Sequence, residues 1–201
     1  HPFAYTDEDA DLFIKPQQAI EYIGKITNGE AVVTTDVGQH QMWAAQFYPF
    51  KHHNQFVTSG GLGTMGFGIP SAIGAKLAAP DKTVVCFVGD GGFQMTNQEM
   101  AILNEYGLDI KIVLINNGTL GMVKQWQDKF FNQRFSHSVF NGQPDFQQLS
   151  EAYGVKAFLI DDPKQLESQL DAAFAHKGPA LIEVRISPKE HVLSLIHISE
   201  P

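Results

Sequence analysis

Two stretches of this sequence, Val84-Val85-Cys86-Phe87-Val88 and Ile112-Val113-Leu114-Ile115, are apolar at every position and rich in β-branched side chains. A strand with one wet face alternates apolar and polar residues; a short run without alternation is a strand covered on both faces. Such strands belong to parallel sheets, whose crossover connections lay helices over both faces. The full set of strand-like runs is 31–35, 55–58, 83–88, 110–115, 155–160 and 180–186. Helix-length amphipathic stretches lie near 16–27, 39–46, 67–78, 97–106, 121–132, 145–153 and 164–175. This alternation predicts an α/β fold: a doubly wound, mainly parallel sheet of about six strands with helices on both faces.

At 201 residues, 43% of them hydrophobic, the chain is long enough for one well-buried core, expected over 12–192. Residues 1–11 read as the end of a linker from a preceding domain. Residues 193–201, Leu-Ser-Leu-Ile-His-Ile-Ser-Glu-Pro, resemble translated sequencing adapter and are expected to be a non-native tail. A lone cysteine, Cys86, excludes a disulfide framework and a clustered-cysteine metal site. No run reaches the 18 or so apolar residues of a membrane span. With 14 Lys+Arg against 22 Asp+Glu, the net charge of −8 argues against a nucleic-acid partner. A chain this acidic must bind phosphate through backbone amides, helix ends or a metal.

In an open parallel sheet, ligands sit beyond the carboxyl ends of the strands. After the first apolar run comes Gly89-Asp90-Gly91-Gly92; after the second comes Asn116-Asn117-Gly118-Thr119. The spacing is one strand–helix–strand unit, so neighbouring strands would set Asp90 beside Asn117. A carboxylate and an amide oxygen are hard ligands, suited to Mg²⁺, which fills its remaining positions with waters and phosphate oxygens. Glycines at 89, 91 and 92 let backbone amides approach a phosphate. Each motif alone is equally a tight turn or a loop; together they predict a metal–diphosphate site.

Gly61-Leu62-Gly63-Thr64-Met65-Gly66 also satisfies the dinucleotide pattern G-x-G-x-x-G, which makes a Rossmann NAD-dependent oxidoreductase the alternative from another class. That reading needs an acidic residue at the end of the following strand. Asp81 precedes its strand, and Asp90 lies too far on.

Gly89-Asp90-Gly91 followed by Asn116-Asn117 resembles the diphosphate-binding motif of thiamine-diphosphate enzymes. Three further segments narrow the likeness: Asp36-Val37-Gly38-Gln39-His40-Gln41-Met42-Trp43, the glycine stretch 61–68, and Gly121-Met122-Val123-Lys124-Gln125-Trp126-Gln127. From about residue 16 to 192 the chain is similar to the C-terminal domain of the acetolactate synthase (acetohydroxyacid synthase) large subunit. Pyruvate oxidase and glyoxylate carboligase are the alternatives within the class, and the Gln125-Trp126-Gln127 context favours the synthase.

The resemblance implies cofactors and roles. Asp90, Asn117 and the Thr119 carbonyl would hold Mg²⁺, with Gly89, Gly91 and Gly92 around the diphosphate. Gln39 and His40 would touch its terminal phosphate, although on residue type alone His40 is as well a hydrogen-bonder at a helix start. Gly63 and Met65 would hold the aminopyrimidine in a bent cofactor, with Met122 nearby; Met65 could equally fill a core gap. Val123 and Trp126 would line the substrate channel, the plainer reading being a core stripe with Met122 at helical spacing. The stretch 124–137 would be a mobile cap attracting carboxylate substrates, or else a solvated helix face.

The activity implied is decarboxylation of pyruvate and ligation of its two-carbon unit to pyruvate or 2-ketobutyrate. The family's proton-relaying glutamate and its FAD site belong to preceding domains, so no catalytic residue is expected here; Glu99, Glu105 and Glu151 are in the wrong motifs. The isolated chain is therefore expected to bind cofactor weakly and to be inactive. In full-length form the resemblance implies a homodimer or homotetramer with its site between subunits, a possible regulatory small subunit, and a bacterial cytoplasmic location.

Overall fold

The computed structural model describes residues 12–192; the linker and adapter readings lie outside the described residues. Helix α1 (Pro16–Ile26) leads into β1 (Val32–Thr35), α2 (Gln39–Phe47), β2 (Phe56–Thr58), α3 (Gly68–Ala78) and β3 (Val84–Gly89). Then come α4 (Asp90–Thr96), α5 (Met100–Glu105), β4 (Ile110–Asn116), α6 (Gly121–Phe130), α7 (Phe146–Ala152), β5 (Lys156–Ile160), α8 (Leu166–Ala175) and β6 (Ala180–Arg185). The six strands form one sheet in the order β2-β1-β3-β4-β6-β5, and every pairing is parallel.

The two apolar runs are the central pair. β3 is buried from Val84 to Val88, and β4 is buried along its whole length. Alternate β3 side chains serve opposite cores: Val85 and Phe87 pack with α1, α2 and α8, while Val84, Cys86 and Val88 pack with α3, α4 and α5. Lys111, buried on β4, donates to the Asp109 carboxylate and to the His176 and Gly178 carbonyls, so its buried ammonium is fully partnered.

Helix α4 is the element that local sequence does not announce. It opens Asp90-Gly91-Gly92, and two helical glycines cost about 1 kcal/mol each relative to alanine. Phe93, wholly buried and edge-on to Phe146 with ring centroids 5.5 Å apart, offsets that cost, since burying such a side chain contributes roughly 1.5–3 kcal/mol. The stretch predicted as one helix over 97–106 is a 3₁₀ turn, Asn97–Glu99, followed by α5. α6 stops at Phe130 rather than 132, because Asn132 and Gln133 take left-handed backbone.

From β1 the chain winds outward to β2, and from β3 it winds the other way to β4. The carboxyl ends of β1 and β3 therefore flank the switch point, where an open α/β sheet leaves a crevice. The same order disposes of a dinucleotide reading of 61–66: β1 separates β2 from β3, so the stretch does not join neighbouring strands. Asp81 lies before β3, at the opposite end of the sheet.

Candidate functional site

β3 passes directly into α4, with Gly89 as the N-cap and Asp90 the first helical residue. Gly89 is in register with Ile115, so Asp90 and Asn117 leave the sheet from adjacent strands just beyond the last pair. The Asp90 carboxyl is 2% exposed. Burial pushes its pKa up to about 6 against the pull of bonds from the Gln143 side chain and the Gly91 and Gly118 amides. Its Oδ2 accepts from Gln143 Nε2 at 2.7 Å. Among the described residues its partners are hydrogen-bond donors, and no lysine or arginine pairs with it.

Asn117 is turned by its neighbours. Its Oδ1 accepts from the Thr119 amide and the Thr119 hydroxyl, both at 3.0 Å, and its Nδ2 donates to Gln39 Oε1 at 3.2 Å. Gln39, 4% exposed, gives its own Nε2 to Gln125 Oε1 at 2.8 Å and to the Glu190 carbonyl at 3.1 Å. Both Nε2 hydrogens of Gln39 are thus taken within the chain, while its backbone amide opens α2.

His40, next on α2, is buried, and desolvation holds its ring neutral with a pKa lowered to about 4. Its Nε2 has no partner among the described residues, and its ring lies against the β3–α4 turn. A Cβ on Gly89 would stand 2.9 Å from His40 Nδ1, and one on Gly91 would stand 2.6 Å from Leu120 Cδ2. At Gly92 a Cβ would sit inside the Asp36 carboxylate. Asp36 itself is wholly buried: Oδ1 accepts from the Val37 and Gly66 amides, while Oδ2 is unpartnered against Gly92. Desolvation raises its pKa.

These residues line a cavity of about 80 Å³ at the switch point. Gln39, His40, Gly89, Asp90, Gly91, Gly92, Asn117, Thr119, Met122 and Val123 all line it. Met65 reaches it from the 61–66 loop, but Gly63 does not line it. The core-stripe reading of α6 fails, because only Met122 packs on a core. Val123 is 43% exposed, and Trp126, 52% exposed, is not among the lining residues. Phe130, Phe131 and Phe135 continue this outward aromatic face, with Lys124 Nζ over the Phe135 ring at 5.1 Å. Antiparallel contact of Thr119 with Val139 folds the following segment back over the β4–α6 loop and delivers Gln143 to Asp90. Gln125, Gln143 and the carboxylate of Asp36 carried no signal as site groups in the sequence; their importance depends on partners 30 to 86 residues away.

An all-parallel sheet with a glycine-walled cavity at its switch point, a buried carboxylate and an amide on adjacent strand ends is the frame of a diphosphate-binding domain. Residues 36–184 match the family described as thiamine pyrophosphate enzyme, C-terminal TPP binding domain, and the chain belongs to that family. Among its relatives, the acetolactate synthase large subunit of Lactococcus lactis subsp. lactis (strain IL1403) is 58% identical over 195 residues, covering 97% of this chain and 33% of that protein. The acetolactate synthase isozyme 3 large subunit of Escherichia coli (strain K12) is 47% identical over 182 residues, covering 89% of this chain and 32% of that protein. The acetolactate synthase large subunit of Haemophilus influenzae (strain ATCC 51907 / DSM 11121 / KW20 / Rd) is 47% identical over 180 residues, covering 89% and 31%. The chain spans about a third of the length of these curated relatives.

Proposed function

We propose that this chain is the cofactor-holding part of an acetolactate synthase, in which pyruvate is decarboxylated and its two-carbon unit is joined to pyruvate or 2-ketobutyrate. The observation that carries the reading is that the buried Asp90 carboxyl and the buried, unpartnered His40 Nε2 both belong to residues lining one glycine-walled cavity at the strand ends. Both groups are costly to bury as they stand. A divalent cation would satisfy the first; the second, whose other ring nitrogen is bonded to the Asp36 backbone, would donate from Nε2 to a phosphate oxygen as an imidazolium, the form that the diphosphate charge favours. The residues present therefore fit Mg²⁺ and thiamine diphosphate together.

Asp90, Asn117 and the Thr119 carbonyl would hold the cation, a hard-oxygen set of the kind Mg²⁺ takes alongside waters and phosphate oxygens. Backbone groups at Gly89, Gly91 and Gly92, with His40 and the Gln39 amide, would take the diphosphate. Gly63, Met65 and Met122 would support the aminopyrimidine, with Gly63 brought in by movement of the 61–66 loop. Val123 and Trp126 would face the substrates from α6. Bound there, the cofactor supplies an electron sink for the carbon–carbon chemistry, while the chain binds, orients and excludes water. FAD, the glutamate, the assembly into a homodimer or homotetramer, a regulatory subunit and a cytoplasmic setting belong to the same proposal for the full-length protein. Among the described residues no helix is long and apolar enough to cross a membrane.

Calorimetric titration of thiamine diphosphate into the chain tests this. Heat that requires Mg²⁺ and disappears in Asp90→Ala is the expected result. Binding of NAD, or thiamine diphosphate binding indifferent to both Mg²⁺ and Asp90, would overturn the reading.

A further inference from the structure

The amide of Asn117 is held by a buried chain of side-chain amides whose sense is dictated by backbone groups at both ends. At the far end Gln125, 2% exposed, donates Nε2 to the Val192 carbonyl at 2.9 Å and accepts at Oε1 from the Val192 amide at 3.0 Å. A backbone N–H only donates and a carbonyl only accepts, so Gln125 has one permitted orientation. Its Oε1 then requires a donor from Gln39, and the Glu190 carbonyl requires the same, which fixes Nε2 of Gln39 on that side. Gln39 Oε1 must face Asn117 and take its Nδ2–H, leaving Asn117 Oδ1 on the opposite side with the Thr119 amide. That amide can only donate, so the two ends of the chain demand the same sense. A flipped Asn117 would set Oδ1 against Gln39 Oε1, acceptor to acceptor, and Nδ2 against the Thr119 amide, donor to donor; flipping Gln39 as well would relieve only the first clash, and would break its bonds to Gln125 and the Glu190 carbonyl.

We propose that Gln125 is a positioning residue for the cation site: through Gln39 it locks the Asn117 amide with its nitrogen toward Gln39 and its oxygen toward Thr119, the sense in which the oxygen is free of Gln39 and shares a side with the other proposed cation ligand. It touches neither cation nor cofactor. The inference rests on the reading of Asp90 and Asn117 as cation ligands. It ties the strength of that site to the 190–192 segment, 65 or more residues farther along the chain. Groups that orient a ligand in this way typically change metal affinity by about 10- to 100-fold when removed.

The test uses two substitutions that a structural role and a positioning role rank in opposite order. Gln125→Met keeps the volume and removes both polar ends. Gln125→Glu keeps an acceptor for Gln39 and for the Val192 amide but buries a charge, which should cost more stability. Mg²⁺ affinity is measured by calorimetry at saturating thiamine diphosphate, with melting temperatures alongside and Asp90→Ala as control. Side-chain amide resonances of Asn117 and Gln39 are followed by NMR in the metal-free chain, assigned with Asn117→Asp and Gln39→Glu.

The expected result is Mg²⁺ binding about 10- to 100-fold weaker in Gln125→Met and within about 3-fold of the original in Gln125→Glu. Displaced Asn117 and Gln39 amide resonances are expected in Gln125→Met alone. Equal Mg²⁺ affinity in Gln125→Met, or a ranking that follows melting temperature, would overturn the inference while Asp90→Ala still abolishes binding. If Asp90→Ala changes nothing, the cation reading itself fails. The resonances then decide the amide chain: unmoved signals in Gln125→Met overturn it.

Discussion

In the β3–α4 turn, glycine is there because something else occupies the space: Gly89 backs onto His40, Gly91 onto Leu120 and Met65, and Gly92 onto Asp36. In the loop between β2 and α3, by contrast, Gly61 and Gly63 have nothing within contact distance of a would-be Cβ, and the intervening Leu62 is 94% exposed. Both turns lie at the carboxyl end of the sheet and read alike as strings of glycine. One is a packed wall against which a ligand can be held. The other is a free loop, tied down at its far end where the Gly66 amide donates to Asp36 at 2.7 Å. Glycine content marks where backbone can come close; whether it is already enclosed depends on what is packed behind it.

The contrast breaks most sharply at Gly92. Gly92→Ala drives a methyl into a buried carboxylate that has no room to retreat, and should destabilise the chain by more than about 3 kcal/mol or prevent folding, as read by urea denaturation. Adding Asp36→Ala to the same chain should recover part of that loss, because the two changes share one space. A fully tolerated Gly92→Ala would remove the distinction between the turns.

His40 probes the same wall by pH. Its ring titrates near 6.5 when unfolded and at about 4 when folded, so below 6.5 the unfolded chain binds a proton that the native chain refuses. Stability from this group is complete above pH 6.5 and falls by up to about 3 kcal/mol as pH drops to 4. Raised carboxyl pKa values at Asp36 and Asp90 act in the opposite sense, so the quantity to measure is the difference between the chain and His40→Gln across pH 4–7. A difference that does not vary with pH would mean that the ring is solvated.

The smallest effect belongs to the open loop. Gly61→Ala should change stability by no more than about 0.5 kcal/mol, measured by the same denaturation. A loss comparable to that of Gly92→Ala would show the loop to be packed after all.

Much of this was readable beforehand because it is local. Full burial of β3 and β4 is written into two unbroken apolar runs, and the meeting of Asp90 with Asn117 follows from one crossover between adjacent parallel strands. Helix α4 was not readable, since Asp-Gly-Gly is a poor helix start and the packing of Phe93 on Phe146 overrides it. The aromatic face of α6 also misled: helical spacing says that Met122, Val123 and Trp126 share a side, but not whether that side is covered. The 61–66 loop carried a dinucleotide pattern that only the strand order, with β1 between β2 and β3, could set aside.

The sequence by itself determined the sheet, its parallel sense and the strand ends that carry the site, because strand burial and crossover length are properties of neighbouring residues. Only the tertiary structure decided that Gln39 turns its side chain to Gln125 and Asn117, that Asp36 sits behind Gly92, and that Gln143 reaches Asp90. Each of those is a hydrogen bond or a contact between residues far apart in the chain. Buried polar groups must find a partner, but which partner depends on how the elements are stacked, and no local pattern encodes that.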